Sequence, residues 1–177
     1  MNFLAISGSA RHASTNTALL HALQAAAGPA HAITVYDRIA SLPVFSPDLE
    51  YPEPPAGVAG LAAAIVAADG LIISSPEYVR SIPGGMKNAI DWLVSREELI
   101  WKPVALVHAS HRGGDMLQQL RLVLGTVSQR FSEDIFLQFH LMKLSPPEIR
   151  QYLSEDRHQA QIRAYLDSFA AFCAETP

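Results

Sequence analysis

A run of small polar side chains near the N-terminus contains the residue types that bind an anion. It lies between the apolar segment 3–6 and the alanine- and leucine-rich segment 18–27, and its hydrogen-bonding residues are Ser9, Arg11, Ser14, Thr15, Asn16 and Thr17. Arg11 offers a planar fork of N–H donors, and the serine, threonine and asparagine side chains donate as well. A strand, a polar loop and a helix in this order add free backbone N–H groups and the positive end of a helix dipole. The segment therefore predicts a phosphate site at the carboxyl edge of a sheet.

The absence of two glycine-rich motifs indicates which kind of phosphate this segment could bind. The sequence contains neither Gly-x-x-x-x-Gly-Lys nor Gly-x-Gly-x-x-Gly, and Gly8 is the only glycine before Gly28. Nucleoside triphosphates and dinucleotide pyrophosphates are bound by such glycine-rich loops, so a terminal monophosphate, as in flavin mononucleotide, fits better. The alternative is a plain helix cap, in which Ser14 or Asn16 bonds the first turn and Arg11 is solvated. A cap needs one such residue, so phosphate binding is favoured.

Composition excludes several classes of protein. The 177 residues suit one domain, residues 1–177, and the net charge of −4 does not favour nucleic-acid binding. Cys173 is the only cysteine, so any redox chemistry must come from a cofactor rather than from a dithiol. The seven histidines show no metal-ligand spacing, and we expect no metal site. Without a secretory segment or a membrane-spanning run, we expect a cytoplasmic protein that contacts no membrane.

Apolar segments alternate with helical patterns along the chain. Strands are predicted at residues 3–6, 32–36, 70–74, 104–108 and 135–139, with helices at 18–27, 58–68, 116–124 and 148–172. Strands that are apolar on both faces indicate a parallel sheet covered on each side. We therefore predict a doubly wound α/β fold with five strands in the order 2-1-3-4-5, which brings the ends of strands one, three and four around one crevice.

Two further loops reach this crevice. The third strand is followed by a proline-framed segment, 76–85, that contains Tyr78, and such a loop can present a rigid wall to a flat ring. The fourth strand is followed by residues 108–115, in which Gly113 and Gly114 allow close approach of the backbone to a ligand.

Three motifs together resemble the NAD(P)H-dependent FMN reductase family: Ser9-x-Arg11-x-x-Ser14-x-Asn16, the Pro-Glu-Tyr and Ser-Ile-Pro-Gly pieces of residues 76–84, and Lys-Asn-Ala-Ile-Asp-Trp at 87–92. The resemblance implies a flavodoxin-like fold, bound FMN, electrons from NADPH or NADH, and a homodimer or homotetramer. It also implies roles for individual residues. The phosphate would be held by Ser9, Arg11, Ser14, Asn16 and Thr17, and the flavin ring by Pro76, Glu77, Tyr78, Val79, Ser110, Gly113 and Gly114.

The chain departs from the family pattern at a few positions. Val79 stands where the family commonly has asparagine, so only backbone contacts can survive there. Arg80 and Arg112 are unusual, and either could bind the 2′-phosphate of NADPH, because we expect no acidic neighbour at helical spacing to neutralise them. Alternatively both are solvated, or Arg80 pairs with Glu77 across a subunit contact. Arg112 could also stabilise negative charge on the pyrimidine edge of the flavin.

Other side chains have competing interpretations. Tyr78 could stack near the flavin or plug a contact with a neighbouring subunit, and Glu77 is expected to turn away to a cation at such a contact. His108 is expected to be structural or exposed. Lys87 and Asp91, four residues apart, are expected to pair on a helix surface. We also expect a dimer interface on the helix that follows Gly85, formed by Met86, Ile90 and Trp92.

These patterns favour an FMN-dependent NAD(P)H oxidoreductase whose bound flavin passes electrons to a small acceptor. Free flavin, a quinone, an azo compound or an oxidised metal would each suit. The main alternative is a flavodoxin-type electron carrier without turnover, although carriers of this kind tend to be more acidic than a net charge of −4. A receiver-like signalling domain needs acidic residues after the first strand, where Ser7-Gly8-Ser9 stands instead.

Overall fold

Five parallel strands form one sheet in the order β2-β1-β3-β4-β5, in a computed structural model that describes residues 1–175. The strands are β1 (Asn2–Ser7), β2 (Ala32–Tyr36), β3 (Gly70–Ser74), β4 (Val104–His108) and β5 (Phe131–Gln138). The helices are α1 (Thr15–Ala26), α2 (Ala56–Ala67), α3 (Gly84–Asp91), α4 (Gly114–Val127), α5 (Pro146–Leu153) and α6 (Asp156–Ala174). Short 3₁₀ turns occupy Ile39–Ser41, Pro47–Leu49 and Glu97–Leu99. The predicted flavodoxin-like α/β fold and its strand order are confirmed.

The sheet separates two apolar cores. Because successive side chains of a strand point to opposite faces, Phe3 packs with α1, α5 and α6, whereas Leu4 packs with α2, α3 and α4. The central strands β3 and β4 are buried along their whole length. This double coverage accounts for the continuous apolar runs by which the sequence indicated parallel strands.

Helix boundaries differ from the predicted ones where polar residues begin or end a helix. Helix α1 begins at Thr15 rather than residue 18, because the Ser14 side chain accepts a hydrogen bond from the Thr17 N–H and so caps the first turn. The predicted helix 148–172 is two helices, α5 and α6. A capping box of Ser145 and Glu148 begins α5, and Ser154 ends it.

The predicted interface on α3 is wrong. Met86, Ile90 and Trp92 are all buried within the chain, in the core that α2, α3 and α4 form. The proline-rich segment after Pro43 covers this helix: the Trp92 indole N–H donates to the Pro43 carbonyl at 2.7 Å, and the Phe45 ring meets the indole edge-on. The apolar surface of α3 is therefore covered by residues of the same chain. The predicted surface pair of Lys87 and Asp91 is confirmed.

Residues 1–175 contain neither a membrane-spanning helix nor a cluster of metal-binding side chains. No helix there combines the length and apolar character needed to cross a lipid bilayer. Within the same residues, no three histidine, cysteine, aspartate or glutamate side chains are grouped so that they could hold a metal ion.

Candidate functional site

A cavity of about 380 Å³ opens where β1, β3 and β4 end. Its volume lies in the range of small-molecule sites. Residues from four parts of the chain line it: Arg11, Thr15, Asn16, Ser75, Pro76, Glu77, His108, Ala109, Ser110, Arg112, Gly113 and Met142. The cavity thus brings together all three loops that the sequence placed at the crevice.

At one end, the cavity meets the start of α1. Arg11 is exposed and lines the cavity beside Thr15 and Asn16. The N–H groups of the first helical turn lack acceptors within the helix, and the helix dipole is positive there. An arginine and a helix N-terminus together form a site for a dianionic group.

Most of the hydroxyls in this loop are used to shape it. Besides the Ser14 cap, the Ser9 hydroxyl accepts from the Arg11 N–H at 3.2 Å, and Ser7 and Thr17 share a hydrogen bond of 2.8 Å. Ser9, Ser14 and Thr17 do not line the cavity. The helix cap is therefore compatible with the anion-site interpretation, because it uses the Thr17 N–H and leaves the Arg11 side chain and the Thr15 and Asn16 N–H groups available.

Asn16 ties this loop to β3. Its side-chain oxygen accepts from the buried Ser74 hydroxyl at 2.8 Å, and the side chain also lines the cavity. The buried Ser74 hydroxyl thereby gains the partner it requires.

At the other end, Pro76 and Glu77 form one wall. The Glu77 carboxylate accepts from the Met116 backbone N–H at 3.1 Å, in the first turn of α4. The expected cation at a subunit contact is thus replaced by a helix N-terminus of the same chain, which attracts a carboxylate for the same electrostatic reason. Glu77 consequently joins the β3 loop to α4.

Beyond Glu77, the chain makes a tight hairpin turn that points into solvent. Tyr78 and Ser81 exchange two backbone hydrogen bonds of 3.1 and 3.0 Å, and the residues between them, Val79 and Arg80, have φ values of 52° and 59°. This left-handed pair matches a type I′ turn, which favours asparagine and glycine. Tyr78 is 50% and Val79 99% exposed, and neither lines the cavity.

Arg80 forms an ion pair with an acidic residue that is distant in the sequence. Its Nε donates to Asp115 in the first turn of α4 at 2.5 Å, and this ion pair raises the pKa of the guanidinium and lowers that of the carboxylate. Gln119 reinforces the contact by donating to the Arg80 carbonyl at 3.0 Å. The expectation that no acidic neighbour neutralises Arg80 is therefore wrong, because its partner lies on α4 rather than at helical spacing in the same segment.

Among residues 1–175, no acidic side chain pairs with Arg112, which is exposed and lines the cavity. Next to it, Gly113 lines the cavity with a φ of 97°, and Gly114 begins α4 just behind. Ser110 accepts the Arg112 N–H on its hydroxyl at 2.8 Å, which closes the turn.

Several lining residues were not predicted as site residues. Ser75, His108 and Ala109 sit at or just beyond the ends of β3 and β4, a position that could have marked them. His108 is buried, and its burial lowers the pKa of the imidazole. Met142 follows β5, and its sequence context carries no signal for a site.

The residues present fit FMN. One end of the cavity offers an arginine and a helix N-terminus for a phosphate, and the other offers a proline wall and a glycine-containing loop for a flat ring. Side chains rather than a glycine-rich loop surround the anion end, which suits a monophosphate.

Comparison with known proteins agrees with this geometry. The profile of the NADPH-dependent FMN reductase family matches residues 1–134. The quinone reductase of Escherichia coli (strain K12) is 31% identical over 163 residues, covering 90% of this chain and 82% of that protein. A 2-hydroxy-1,4-benzoquinone reductase from Burkholderia sp is 40% identical over 107 residues, covering 58% and 57% of the two chains.

A solved structure extends the similarity to the whole fold. The flavoenzyme NAD(P)H:(acceptor) oxidoreductase FerB from Paracoccus denitrificans aligns with a TM-score of 0.77 and 25% identity, over 97% of this chain and 98% of its own. The family profile covers well over half of the 177 residues. This chain therefore belongs to the NADPH-dependent FMN reductase family, and it is an oxidoreductase with FMN and NAD(P)H as its cofactors.

Proposed function

We propose that this protein oxidises NADPH or NADH and reduces a quinone, with FMN held in the cavity at the ends of β1, β3 and β4. The observation that carries the proposal is the composition of this cavity, in which an arginine beside a helix N-terminus faces a proline- and glycine-containing pair of walls. The names of the Escherichia coli and Burkholderia relatives support a quinone as the acceptor.

The chain's own residues would bind and orient the cofactor. Arg11 and the first-turn N–H groups of α1 would hold the phosphate, while Pro76 and Glu77 would face one side of the ring. Ser110 and Gly113 would approach the other side. When bound, FMN supplies the two-electron transfer, which no side chain can provide.

Donor selection would rest mainly on Arg112. Asp115 already neutralises Arg80, whereas the Arg112 guanidinium lines the cavity without an acidic partner among residues 1–175. A free guanidinium can bind the 2′-phosphate of NADPH through two parallel hydrogen bonds. We expect Arg112→Ala to narrow the ratio of kcat/KM for NADPH to kcat/KM for NADH, and Arg80→Ala to change it less. An unchanged ratio in both variants would show that neither arginine reads the 2′-phosphate.

We also propose that residues 1–177 form a single domain that assembles as a homodimer or homotetramer. The exposed tip of the hairpin, Tyr78 and Val79, supports a contact at the mouth of the site, because large apolar side chains there are left in solvent. Sedimentation velocity of the wild type and of Tyr78→Ser tests this. A monomeric wild type at micromolar concentration would contradict it.

The central experiment is spectroscopic and kinetic. We expect the purified protein to be yellow, to release FMN rather than FAD on denaturation, and to oxidise NADPH or NADH faster when a benzoquinone is added. A flavodoxin-type carrier would show the same flavin spectrum but no steady-state turnover with nicotinamide nucleotides. A colourless protein that does not bind added FMN would contradict the cofactor site itself.

A further inference from the structure

His108, the last residue of β4, forms part of the cavity lining, and the role proposed above leaves its side chain unused. The residue is only 2% exposed although it lines the cavity. Its Nε2 is 2.5 Å from the carbonyl oxygen of Arg112, four residues further along the loop. The ring therefore spans the base of the turn that carries Arg112 and Gly113.

The contact fixes the state of the imidazole. A carbonyl oxygen only accepts hydrogen bonds, so Nε2 must carry a proton, and in the neutral ring Nδ1 then presents a lone pair. Nδ1 is buried and has no hydrogen-bond partner within residues 1–175. Burial disfavours the charged form and outweighs the opposing influences of the Arg112 carbonyl and of Glu77, so the pKa of His108 is lowered.

The same ring determines what can stand at position 113. A β-carbon on Gly113 would lie 3.0 Å from both Cε1 and Nε2 of His108, and the φ of 97° is itself unfavourable for residues with a side chain. The glycine and the histidine thus fit each other. Together they allow the loop to turn left-handed into the N-terminus of α4.

Hydrogen bonds from the end of β5 also hold the base of the loop that follows β4. The His108 carbonyl accepts the Phe139 N–H at 2.9 Å, and the Ser110 carbonyl accepts from the Gln138 side chain at 2.5 Å. These bonds anchor the loop on β5, but neither reaches Arg112 or Gly113. The tip is held instead by the Ser110 hydroxyl and the His108 ring, which bond the Arg112 backbone, and by the Leu117 N–H, which donates to the Gly113 carbonyl at 2.9 Å.

We propose that His108 is the positioning residue of the flavin-ring end of the cavity. Its neutral imidazole donates from Nε2 to the Arg112 carbonyl and so holds Gly113 and the α4 N-terminus in place for the ring. The proposal rests on the cofactor site proposed above. It concerns the ring and not the phosphate, which binds at the opposite end beside Arg11.

A matched set of substitutions separates the hydrogen bond from the volume of the side chain. The amide nitrogen of glutamine can reach the position of Nε2, so His108→Gln retains a donor toward Arg112. His108→Leu fills space without a donor, and His108→Asn places its amide near the position of Nδ1, short of the carbonyl. His21→Leu, on the exposed face of α1, is the control for losing a histidine.

The measured quantity is the affinity of the apoprotein for FMN and for riboflavin, and quenching of flavin fluorescence reports the binding of each. Riboflavin has the ring without the phosphate. We expect His108→Leu and His108→Asn to weaken both ligands by the same factor, about three- to tenfold, which corresponds to one lost hydrogen bond. His108→Gln and His21→Leu should bind both ligands like the wild type.

Several outcomes would overturn the inference. Equal affinities for His108→Gln and His108→Leu would show that only volume matters, and a loss confined to FMN would place the effect at the phosphate end. If His108→Leu fails to fold, the comparison of His108→Asn with His108→Gln decides the question in the same way. A wild type that binds neither flavin would instead remove the proposed cofactor site.

Discussion

The two ends of the cavity are built in different ways. At the phosphate end, most contacts are local: Ser9, Ser14 and Thr17 bond to groups no more than ten residues away, and Asn16 adds one long-range bond to Ser74. At the ring end, Glu77 bonds Met116 and Ser81 bonds Gln119, at separations of 39 and 38 residues. The phosphate end is thus largely a property of one segment. The ring end combines the local turn that His108 and Ser110 close with contacts that form only after β3, β4 and α4 have assembled.

This difference has a functional consequence. The shape of a loop that is held by local hydrogen bonds depends on few residues. Anion binding at this loop should therefore also depend on few residues. The ring end is held partly by contacts between the loop after β3 and helix α4, including the exposed ion pair of Arg80 and Asp115. Substitutions there should therefore change stability and ring binding together, while substitutions at the phosphate end should separate FMN from riboflavin.

The largest effect is expected from Arg11→Ala. Loss of a charged contact to phosphate costs roughly 1.5–3 kcal/mol, so FMN affinity should fall by about one to two decades. Riboflavin affinity should stay unchanged, because Arg11 lies at the far end from the ring. Fluorescence titration of the apoprotein with both ligands measures this, and unchanged FMN affinity would remove Arg11 from the phosphate site.

Gly113→Ala should distort the flavin-ring end of the cavity. The alanine would have to adopt a φ of 97° and place its β-carbon 3.0 Å from the His108 ring. A strained conformation of this kind costs about 1–3 kcal/mol, which should appear as a lower free energy of unfolding in urea. Riboflavin and FMN should both bind more weakly.

Gly114→Ala is the matched control for this change. No atom lies within 4 Å of a β-carbon built on Gly114, and the residue begins α4 with a negative φ. Alanine should therefore be tolerated or slightly stabilising, since it is the better helix former. Equal losses in the two variants would mean that the left-handed turn at Gly113 has no special importance.

Ser14→Ala should test whether capping and anion binding are separable. Removal of the cap should lower the free energy of unfolding by about 1 kcal/mol. Ser14→Asp retains a capping oxygen and should keep the stability, but its negative charge should weaken FMN while leaving riboflavin unaffected. Thermal unfolding and flavin titration of both variants give the answer. If Ser14→Asp binds FMN as well as the wild type, the phosphate does not sit at this helix end.

The same contrast explains what the sequence could and could not predict. The strand order, the polar loop before α1 and the meeting of three loops at the crevice followed from apolar runs and from residues close together in the chain. The partners of Glu77 and Arg80 lie 39 and 35 residues away, and spacing along the chain gives no indication of them. The expected interface at Trp92 failed for a related reason, because the Pro43 carbonyl that satisfies the indole lies 49 residues earlier.

His108 and Met142 show two further limits. His108 stood at a strand end where ligands bind, but a histidine in an apolar strand does not indicate whether its ring turns inward. The fit between this ring and Gly113 depends on atomic distances that only the folded chain defines. Met142 reaches the cavity because β5 lies next to β4, which is a matter of topology rather than of local sequence.

The smallest effect is expected where the ring end meets solvent. Asp115→Asn removes the charge that neutralises Arg80 and frees a second guanidinium beside Arg112. Both partners of this ion pair are exposed, and such pairs are weak, so the preference for NADPH over NADH should rise only by a few-fold. The ratio of kcat/KM for the two nucleotides measures the change, together with the affinity for 2′,5′-ADP, which carries the distinguishing phosphate.

Any such rise has two explanations: Asp115 neutralises Arg80, or Asp115 repels the phosphate directly. Arg80→Ala separates them. If Asp115 acts by neutralising Arg80, the double variant Arg80→Ala/Asp115→Asn should show the preference of Arg80→Ala alone. Asp91→Asn, which breaks the exposed pair with Lys87 on α3, changes the net charge equally and should leave the preference unaltered. A rise that persists in the double variant would instead mean that Asp115 repels the phosphate directly, and that Arg80 serves only to hold the hairpin against α4.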